Sequence, residues 1–233
     1  MKIAIVKLSA LGDIIHAMVA LQFIKQEYPD CQIDWVVEEG FKGILENNPD
    51  INIIHTVNLK KVKQQKSLKL LFKEFKKIRQ FGRYDLVIDA QGLIKSAIVA
   101  KFIQSKKISG FDKNSIRESL ASALYQHKTF IAYDANTIDR NVKVICNPLG
   151  LEISSDAIIN KQPFLFSQRE ILLPSKPYAL FVIGSTWGSR NYPKEKFVQV
   201  AQSLKMNFLV VWGNIPEKIK ADWMAEQSDF IEA

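Results

Sequence analysis

Near the N-terminus, Asp13 is the residue best suited to acid–base chemistry, and Lys7 and Ser9 precede it closely. An apolar run at residues 3–6 stops at Lys7, and apolar residues return at helical spacing from Ile14. This pattern predicts a buried parallel strand, a tight loop and a helix. Ligands in open α/β sheets bind at the carboxyl ends of strands, so Asp13 is a candidate general base. The alternative is a first-turn acid that only stabilises the helix dipole.

Two later loops carry groups suited to binding a nucleotide. Residues 184–193 contain Ser185, Thr186 and Arg190, which with backbone N–H groups suit an anion site at a helix N-terminus. A surface loop with capping hydroxyls is the alternative. Residues 212–217 end at Glu217, which could accept hydrogen bonds from ribose hydroxyls or simply be an exposed acid at a helix start.

The first loop does not have the glycine spacing of the common nucleotide-binding motifs. Neither G-x-G-x-x-G nor G-x-x-x-x-G-K-[ST] occurs there, which disfavours dinucleotide dehydrogenases and P-loop NTPases. Its glycine, Gly12, instead allows a substrate to approach the backbone closely.

The formal net charge of +8 predicts an anionic partner. Residues 60–83 contain ten Lys or Arg against one acid, Glu74, and apolar residues at helical spacing predict an amphipathic helix over 66–80. That helix could be a surface helix with solvated lysines. Lys60, Lys61 and Lys63 precede it and are expected on a loop, where binding residues concentrate. A nucleic-acid partner is disfavoured because no aromatic stacking platform interleaves with the basic run.

The elements predicted from the sequence alternate between strand and helix, which indicates βαβ units and parallel sheets. Predicted strands are 2–6, 33–37, 53–57, 85–89, 107–111, 129–132, 178–183 and 207–212. Predicted helices are 12–27, 40–47, 66–80, 92–103, 115–124, 136–149, 193–205 and one from about 216. We therefore expect an α/β protein with a first doubly wound domain at 1–150, a linker at 151–176 and a partial second one at 177–233.

Composition and cysteine usage are those of a globular cytosolic protein. The hydrophobic content is 47% and the charged content 24%. The two cysteines, Cys31 and Cys146, are far apart and are expected to be free thiols. Neither a signal peptide nor a membrane span is predicted.

Taken together, the motifs resemble the bacterial ADP-heptose:lipopolysaccharide heptosyltransferases, glycosyltransferase family 9. The likeness runs in order along almost the whole chain, and the stretch at 34–41 is similar to the heptosyltransferase I branch. The matching segments are residues 7–16, 34–41, 84–92, 117–122, 186–193 and 212–213.

This resemblance implies a GT-B fold with an N-terminal acceptor domain and a C-terminal nucleotide-sugar domain that is incomplete in this chain. It also implies an inverting, metal-independent transfer of heptose from ADP-heptose to Kdo of Kdo–lipid A, with Asp13 as the base. ADP-heptose is then a donor substrate, and no cofactor is expected. The implied donor residues are Gly12, Ser185, Thr186, Arg190 and Glu217, and the implied acceptor residues are Lys7, Ser9, Lys60, Lys61, Lys63, Gln91, Arg117 and Arg140.

At position 190 the family usually has a lysine, and Arg190 keeps the charge but adds a bidentate fork. The expected location is cytoplasmic, peripheral on the cytoplasmic face of the inner membrane, with the anionic membrane surface as a partner. Two alternatives stay open: a heptosyltransferase for a later core acceptor, and a truncated acceptor-binding protein without activity.

Overall fold

The short apolar runs of the first 130 residues form the parallel strands of one sheet. The structure is a computed structural model that describes residues 1–167, 174–185 and 188–233. The chain divides into two units, Met1–Gln168 and Arg169–Ala233. Both have parallel sheets, so the predicted α/β class is confirmed.

The first unit contains a six-stranded sheet in the order β3-β2-β1-β4-β5-β6. All its neighbouring strands are parallel. Its strands are β1 (Lys2–Val6), β2 (Gln32–Glu38), β3 (Ile53–Val57), β4 (Arg83–Asp89), β5 (Gln104–Phe111) and β6 (His127–Thr129). Its helices are α1 (Leu11–Glu27), α2 (Leu59–Gln65), α3 (Leu68–Ile78), α4 (Ile94–Phe102), α5 (Thr137–Cys146) and α6 (Ser155–Ile159).

Burial explains why the central strands read as unbroken apolar runs. In β1 the residues from Ile3 to Val6 are all buried, because helices cover both faces of a parallel sheet. Helix α1 buries Ile14, Met18 and Leu21 in the same core, and it packs against α5.

The second unit has a smaller sheet in the order β7-β8-β9, also parallel. The strands are β7 (Tyr178–Val182), β8 (Asn207–Val211) and β9 (Ile231–Glu232), and the helices are α7 (Lys194–Leu204) and α8 (Ile215–Glu226). Phe181 and Phe208 stack with ring centroids 4.0 Å apart at the centre of this core. Both helices contribute to it, through Ala201 and Met224.

Several predicted elements differ from the structure. The segments predicted as helices at 40–47 and 115–124 contain only the 3₁₀ turns Glu39–Ile44 and Ser119–Leu124. The lysines expected on a loop lie on α2, which the strong helix propensity of Lys and Gln permits. Residues 151–167, expected as part of a linker, include α6 and pack on the first core through Ile158.

Candidate active site

The site begins at the point where the strand order reverses. β1 and β4 are neighbours, with β2 and β3 on one side of the pair and β5 and β6 on the other. In doubly wound sheets, the loops that follow such a pair part to opposite faces and leave a crevice at the carboxyl ends. The loop from Lys7 to Ala10 follows β1, and the loop from Ala90 to Leu93 follows β4.

A cavity of about 340 Å³ opens at this crevice. It brings together five of the residues singled out from the sequence: Lys7, Asp13, Gln91, Arg117 and Arg140. One carboxylate therefore shares a cavity with three basic side chains, an arrangement that suits an anionic ligand whose hydroxyl group must lose a proton. The aromatic walls, Phe111 and Tyr133, were missed in the sequence, which has no local signal for them.

Asp13 lies in the first turn of α1, as predicted. It is half-buried, and its Oδ2 accepts the N–H of Ala10 at 3.3 Å. This long contact leaves most of the carboxylate's lone-pair capacity free, so the capping role and a role as base are compatible. Gly12, one position earlier, is exposed, and a Cβ added there would meet nothing within 4 Å. The backbone is thus open to a ligand at this point.

Lys7 is buried beneath the cavity. Its Nζ donates to the carbonyl oxygen of Ala90 at 2.8 Å, which ties β1 to the loop after β4. Burial lowers the pKa of Lys7 to about 8. The negative charges of Asp13 and Asp89 raise this pKa, and the positive charge of Arg140 lowers it.

Gln91 holds the loop before Asp13 in place. Its Oε1 accepts the N–H groups of Leu8 and Ser9, both at 3.1 Å. Gln91 thus lines the cavity and also fixes the backbone that leads to the candidate base. Ser9 itself takes part through its backbone and does not line the cavity.

Asp89 anchors the loop after β4 from below. Its buried carboxylate accepts hydrogen bonds from Tyr125 Oη at 2.7 Å, Ser96 Oγ at 2.8 Å and the N–H groups of Gln91 and Gly92 at 2.9 and 3.3 Å. Burial raises the pKa of Asp89, while these donors act in the opposite direction. It does not line the cavity, so we read it as structural.

The two arginines of the cavity differ in their freedom. Arg140 Nη2 donates to the Ser115 carbonyl oxygen at 2.6 Å, Nη1 donates to the carbonyls of Ala132 and Tyr133, and the guanidinium lies 4.8 Å from the Tyr133 ring centroid. Burial lowers the pKa of Arg140. Arg117 is exposed and, among the described residues, has neither a hydrogen-bond partner nor an ion-pair partner. It is therefore the cation most available to a ligand.

Lys60, Lys61 and Lys63 lie on α2, which follows the carboxyl end of β3. All three are exposed, and none of them lines the cavity. They lie at the same edge of the sheet as the cavity, since the carboxyl ends of parallel strands share one edge, but they are not part of it.

In the second unit, Glu217 is the centre of a compact local arrangement. Its carboxylate accepts the N–H of Gly213 at 2.7 Å and an amide proton of Asn214 at 2.6 Å, and Asn214 Oδ1 accepts the N–H of Glu217 at 2.9 Å. Gly184, two residues after the end of β7, is so close that an added Cβ would lie 2.6 Å from the Glu217 carboxylate. Glu217 therefore lies in the first turn of α8, and its carboxylate lies close to the backbone of Gly184.

Two further predicted donor residues lie in the described part of this unit. Ser185 follows Gly184 and is half-buried, and Arg190 is exposed in the 3₁₀ turn Gly188–Arg190. Thr186 lies outside the described residues. The described residues contain no group of three or more His, Cys, Asp or Glu side chains that could hold a metal ion. No described helix is long and apolar enough to cross a membrane.

Comparison with known proteins decides the family. Residues 71–230 match glycosyltransferase family 9 (heptosyltransferase). The chain belongs to this family. Lipopolysaccharide heptosyltransferase 1 of Campylobacter coli is 37% identical over 93% of the chain and 66% of its own length, and that of Pseudomonas aeruginosa is 29% identical over 97% and 64%. The chain thus spans somewhat less than two thirds of these relatives.

Solved structures give the same result for the fold. Escherichia coli heptosyltransferase WaaC with ADP matches with a TM-score of 0.81 and 28% identity, covering 97% of this chain and 72% of that one. WaaC with ADP-2-deoxy-2-fluoro heptose matches with a TM-score of 0.81 and 27% identity, over 97% and 73%. The predicted GT-B class, with two Rossmann-like α/β units, is therefore confirmed for this family member.

Proposed function

We propose that the protein is an inverting heptosyltransferase that transfers L-glycero-D-manno-heptose from ADP-heptose to Kdo of Kdo–lipid A. The observation that carries the proposal is the cavity in which Asp13 faces Lys7, Arg117 and Arg140. Kdo is a sugar acid, and its acceptor hydroxyl must be deprotonated, so it needs both the basic side chains and the carboxylate. The names of the relatives, lipopolysaccharide heptosyltransferase 1, support the same reaction.

In the proposed reaction, the Asp13 carboxylate takes the proton of the acceptor hydroxyl. The acceptor oxygen then forms a bond to heptose C1 on the face opposite ADP, and the bond from C1 to the phosphate oxygen breaks. The electron pair leaves with ADP, so the configuration at C1 inverts. General-base assistance of this kind contributes about 10²–10⁴-fold.

The donor side of the proposal rests on the second unit and on Gly12. We propose that Ser185, Thr186 and Arg190 bind the diphosphate, since hydroxyls and a guanidinium match phosphate oxygens and offset the charge of the leaving group. Glu217 would accept hydrogen bonds from the ribose, and the open backbone at Gly12 would let the sugar approach. We propose no metal ion in this scheme, because Arg190 supplies positive charge.

On the acceptor side, we propose that Arg117 and Arg140 bind the Kdo carboxylate. Lys60, Lys61 and Lys63 would bind the phosphates of the lipid, outside the cavity. Because this acceptor is a lipid, we place the enzyme on the cytoplasmic face of the inner membrane as a peripheral protein.

Turnover of the Asp13→Asn variant tests the base. We expect ADP release from ADP-heptose, dependent on Kdo–lipid A, to fall about 10²–10⁴-fold while ADP affinity stays within about twofold of wild type. The matched control is Asp156→Asn, a first-turn acid of α6 outside the cavity, which should leave turnover unchanged.

Three results would contradict parts of this proposal. Wild-type turnover in Asp13→Asn would remove the base assignment. Turnover only with an acceptor that already carries heptose would indicate a later step of core synthesis. Binding of Kdo–lipid A by the wild-type protein without any ADP release would indicate an acceptor-binding protein.

A further inference from the structure

A surface that is both basic and apolar lies on α2 and α3, outside the cavity. We call α2 and the outward side of α3 the α2–α3 face. Two large apolar side chains are exposed on it, Leu68 to 71% and Phe72 to 72%. They are four residues apart and therefore neighbours on the helix. The rest of the apolar stripe turns inward, where Phe75 stacks on Phe102 with centroids 4.2 Å apart and Ile78 is buried.

The rest of the protein thus covers only part of the apolar stripe of α3. In the sequence, Leu68, Leu71, Phe72, Phe75 and Ile78 all fall on one helical face. In the structure, only part of that face contacts the core. An exposed Leu beside an exposed Phe forgoes the free energy that burial would provide. Contiguous exposed apolar surface is a feature of interaction sites when it is extensive or rimmed by polar residues.

Seven lysines of α2, of α3 and of the residue that ends α2 have side chains without partners within the described part of the chain. Their side chains are exposed and form neither hydrogen bonds nor ion pairs there. The residues are Lys60, Lys61, Lys63, Lys66, Lys69, Lys73 and Lys76. The acid of the segment, Glu74, is half-buried and accepts the N–H of Asn58 at 3.1 Å. The α2–α3 face therefore carries unneutralised positive charge beside its apolar pair.

The chemistry of this face fits a membrane surface better than a nucleic acid. Lysine is a flexible point charge suited to a diffuse anionic surface, whereas Arg gives the bidentate geometry that recognises individual phosphates. Nucleic-acid strands also need aromatic side chains on which successive bases stack, and Phe72 is paired instead with Leu68. Apolar side chains surrounded by lysines are what an anionic lipid interface binds.

We propose that the α2–α3 face docks on an anionic lipid bilayer, with Leu68 and Phe72 inserted at the level of the head groups. The lysines around them contact the lipid phosphates. The proposal deepens the proposed membrane location by naming the surface that makes the contact. It needs neither donor sugar nor turnover, so its test and the test of the transferase can fail separately.

Cosedimentation with vesicles tests the apolar part. The probe is a vesicle of phosphatidylglycerol and phosphatidylcholine in equal parts, without donor or acceptor sugar. For the Leu68→Gln/Phe72→Gln double variant we expect a partition coefficient at least about tenfold lower than for wild type, because two apolar side chains no longer enter the interface. The matched control, Ile159→Gln, changes a side chain that is 72% exposed on α6 and should bind within about twofold of wild type.

The electrostatic part has its own variant. Removing three charges in Lys69→Gln/Lys73→Gln/Lys76→Gln should lower partitioning on the order of a hundredfold. Wild type should bind vesicles of pure phosphatidylcholine far more weakly, and salt should reduce its binding to the anionic vesicles. Far-UV circular dichroism checks that each variant keeps the helix content of wild type, as the exposure of the changed residues leads us to expect.

A second readout places the side chain in the bilayer. The tryptophan emission that Phe72→Trp adds to that of the four native tryptophans should shift to the blue with anionic vesicles. Brominated acyl chains should quench it more strongly than the emission that Ile159→Trp adds. Equal partitioning of wild type and the Leu68/Phe72 double variant would overturn the proposal. Equal binding to neutral and anionic vesicles would also overturn it, as would binding to single-stranded RNA without binding to vesicles.

Discussion

The cavity after β1 and β4 and the arrangement around Glu217 are held by hydrogen bonds that span very different distances along the sequence. In the first unit, the bond from Lys7 to Ala90 joins residues 83 positions apart, and that from Gln91 to Ser9 joins residues 82 apart. In the second unit, the bonds from Gly213 and Asn214 to Glu217 span four and three residues. The first site therefore needs β1 and β4 to pair, whereas the hydrogen bonds around Glu217 form with the first turn of α8.

Burial differs between the residues that support the two sites, although the first site also contains a half-buried acid, Asp13, and an exposed arginine, Arg117. Lys7 and Asp89 are buried and hydrogen-bonded, so their positions are fixed before a ligand arrives. Glu217 is only half-buried, and Arg190 is exposed. A prearranged site avoids the entropy of ordering side chains on binding, while an exposed one must order them. Changes in the first site should therefore affect folding and binding together, and changes in the second should affect mainly binding.

The largest expected effect is that of Asp89→Ala on stability. The variant removes the shared acceptor of four donors, of which the Ser96 hydroxyl has a second acceptor in the Leu93 carbonyl oxygen. We expect the free energy of unfolding to fall by about 3–5 kcal/mol. Urea denaturation measures it. The control, Asp156→Ala, removes a carboxylate from the first turn of α6 and should cost less than about 1 kcal/mol. A loss below 1 kcal/mol for Asp89→Ala would show that long-range contacts do not hold the first site together.

The next effect is a pH dependence of acceptor binding. Lys7 has a pKa of about 8, so it loses its charge as the pH rises through that value. An anionic acceptor binds the charged form, and affinity for Kdo should therefore be about tenfold lower at pH 9 than at pH 7. Calorimetry checks this, and Lys7→Met should show no such decrease. The same decrease in Lys7→Met would assign the titration to another group.

A smaller effect is expected from Gly184→Ala in the second unit. The added methyl group would lie 2.6 Å from the Glu217 carboxylate, which is the movable end of a side chain. The carboxylate should shift away from its hydrogen-bond donors, Gly213 and Asn214. We expect ADP binding to weaken roughly threefold to tenfold and the free energy of unfolding to change by less than about 1 kcal/mol. In Gly188→Ala, where an added Cβ meets nothing within 4 Å, ADP affinity should be unchanged. Unfolding of the Gly184→Ala variant would mean that the second site is also part of a core.

The smallest expected effect is the loss of stability when the capping residue of one helix in each unit is replaced. Asn214 caps α8 and Asn136 caps α5, and replacing either by Ala should cost about 1 kcal/mol. Hydrogen exchange of the first-turn amides measures each cap where it acts. Equal costs would confirm that the two units differ in their long-range contacts and not in their helix ends. A much larger stability cost for one cap would mean that the two units also differ in how their helix termini are stabilised.

Much of the fold could be predicted from local patterns. The strand Lys2–Val6 and the helix Leu11–Glu27 follow from an apolar run and a helical repeat, which depend only on neighbouring residues. The errors occur where tertiary contacts decide. Ser119–Leu124 and Glu39–Ile44 are short 3₁₀ turns of the kind that serve as connectors. Residues 151–167 have few periodic features, yet Ile158 finds space on the first core.

The candidate site could be predicted in part. Asp13 and Glu217 are predictable because a strand, a loop and a helix start follow one another in the sequence, and this order puts an acid at the carboxyl end of the strand. Phe111 and Tyr133 could not be found, since nothing near them in the sequence indicates that β5 and the loop after β6 meet Arg140. The exposure of Leu68 and Phe72 could not be predicted either, because a helical repeat of apolar residues does not indicate how much of that face the neighbouring core covers.

The sequence by itself determined the family, the alternation of strands and helices, and the residue types at each strand end. These depend on short segments and on the order of motifs. The tertiary structure decided that Lys7, Asp13, Gln91, Arg117 and Arg140 share one cavity, that Asp89 is structural and that part of α3 remains uncovered. The physical reason is that burial and hydrogen bonding depend on which segments pack together, and the strand order β3-β2-β1-β4-β5-β6 is a property of the whole unit.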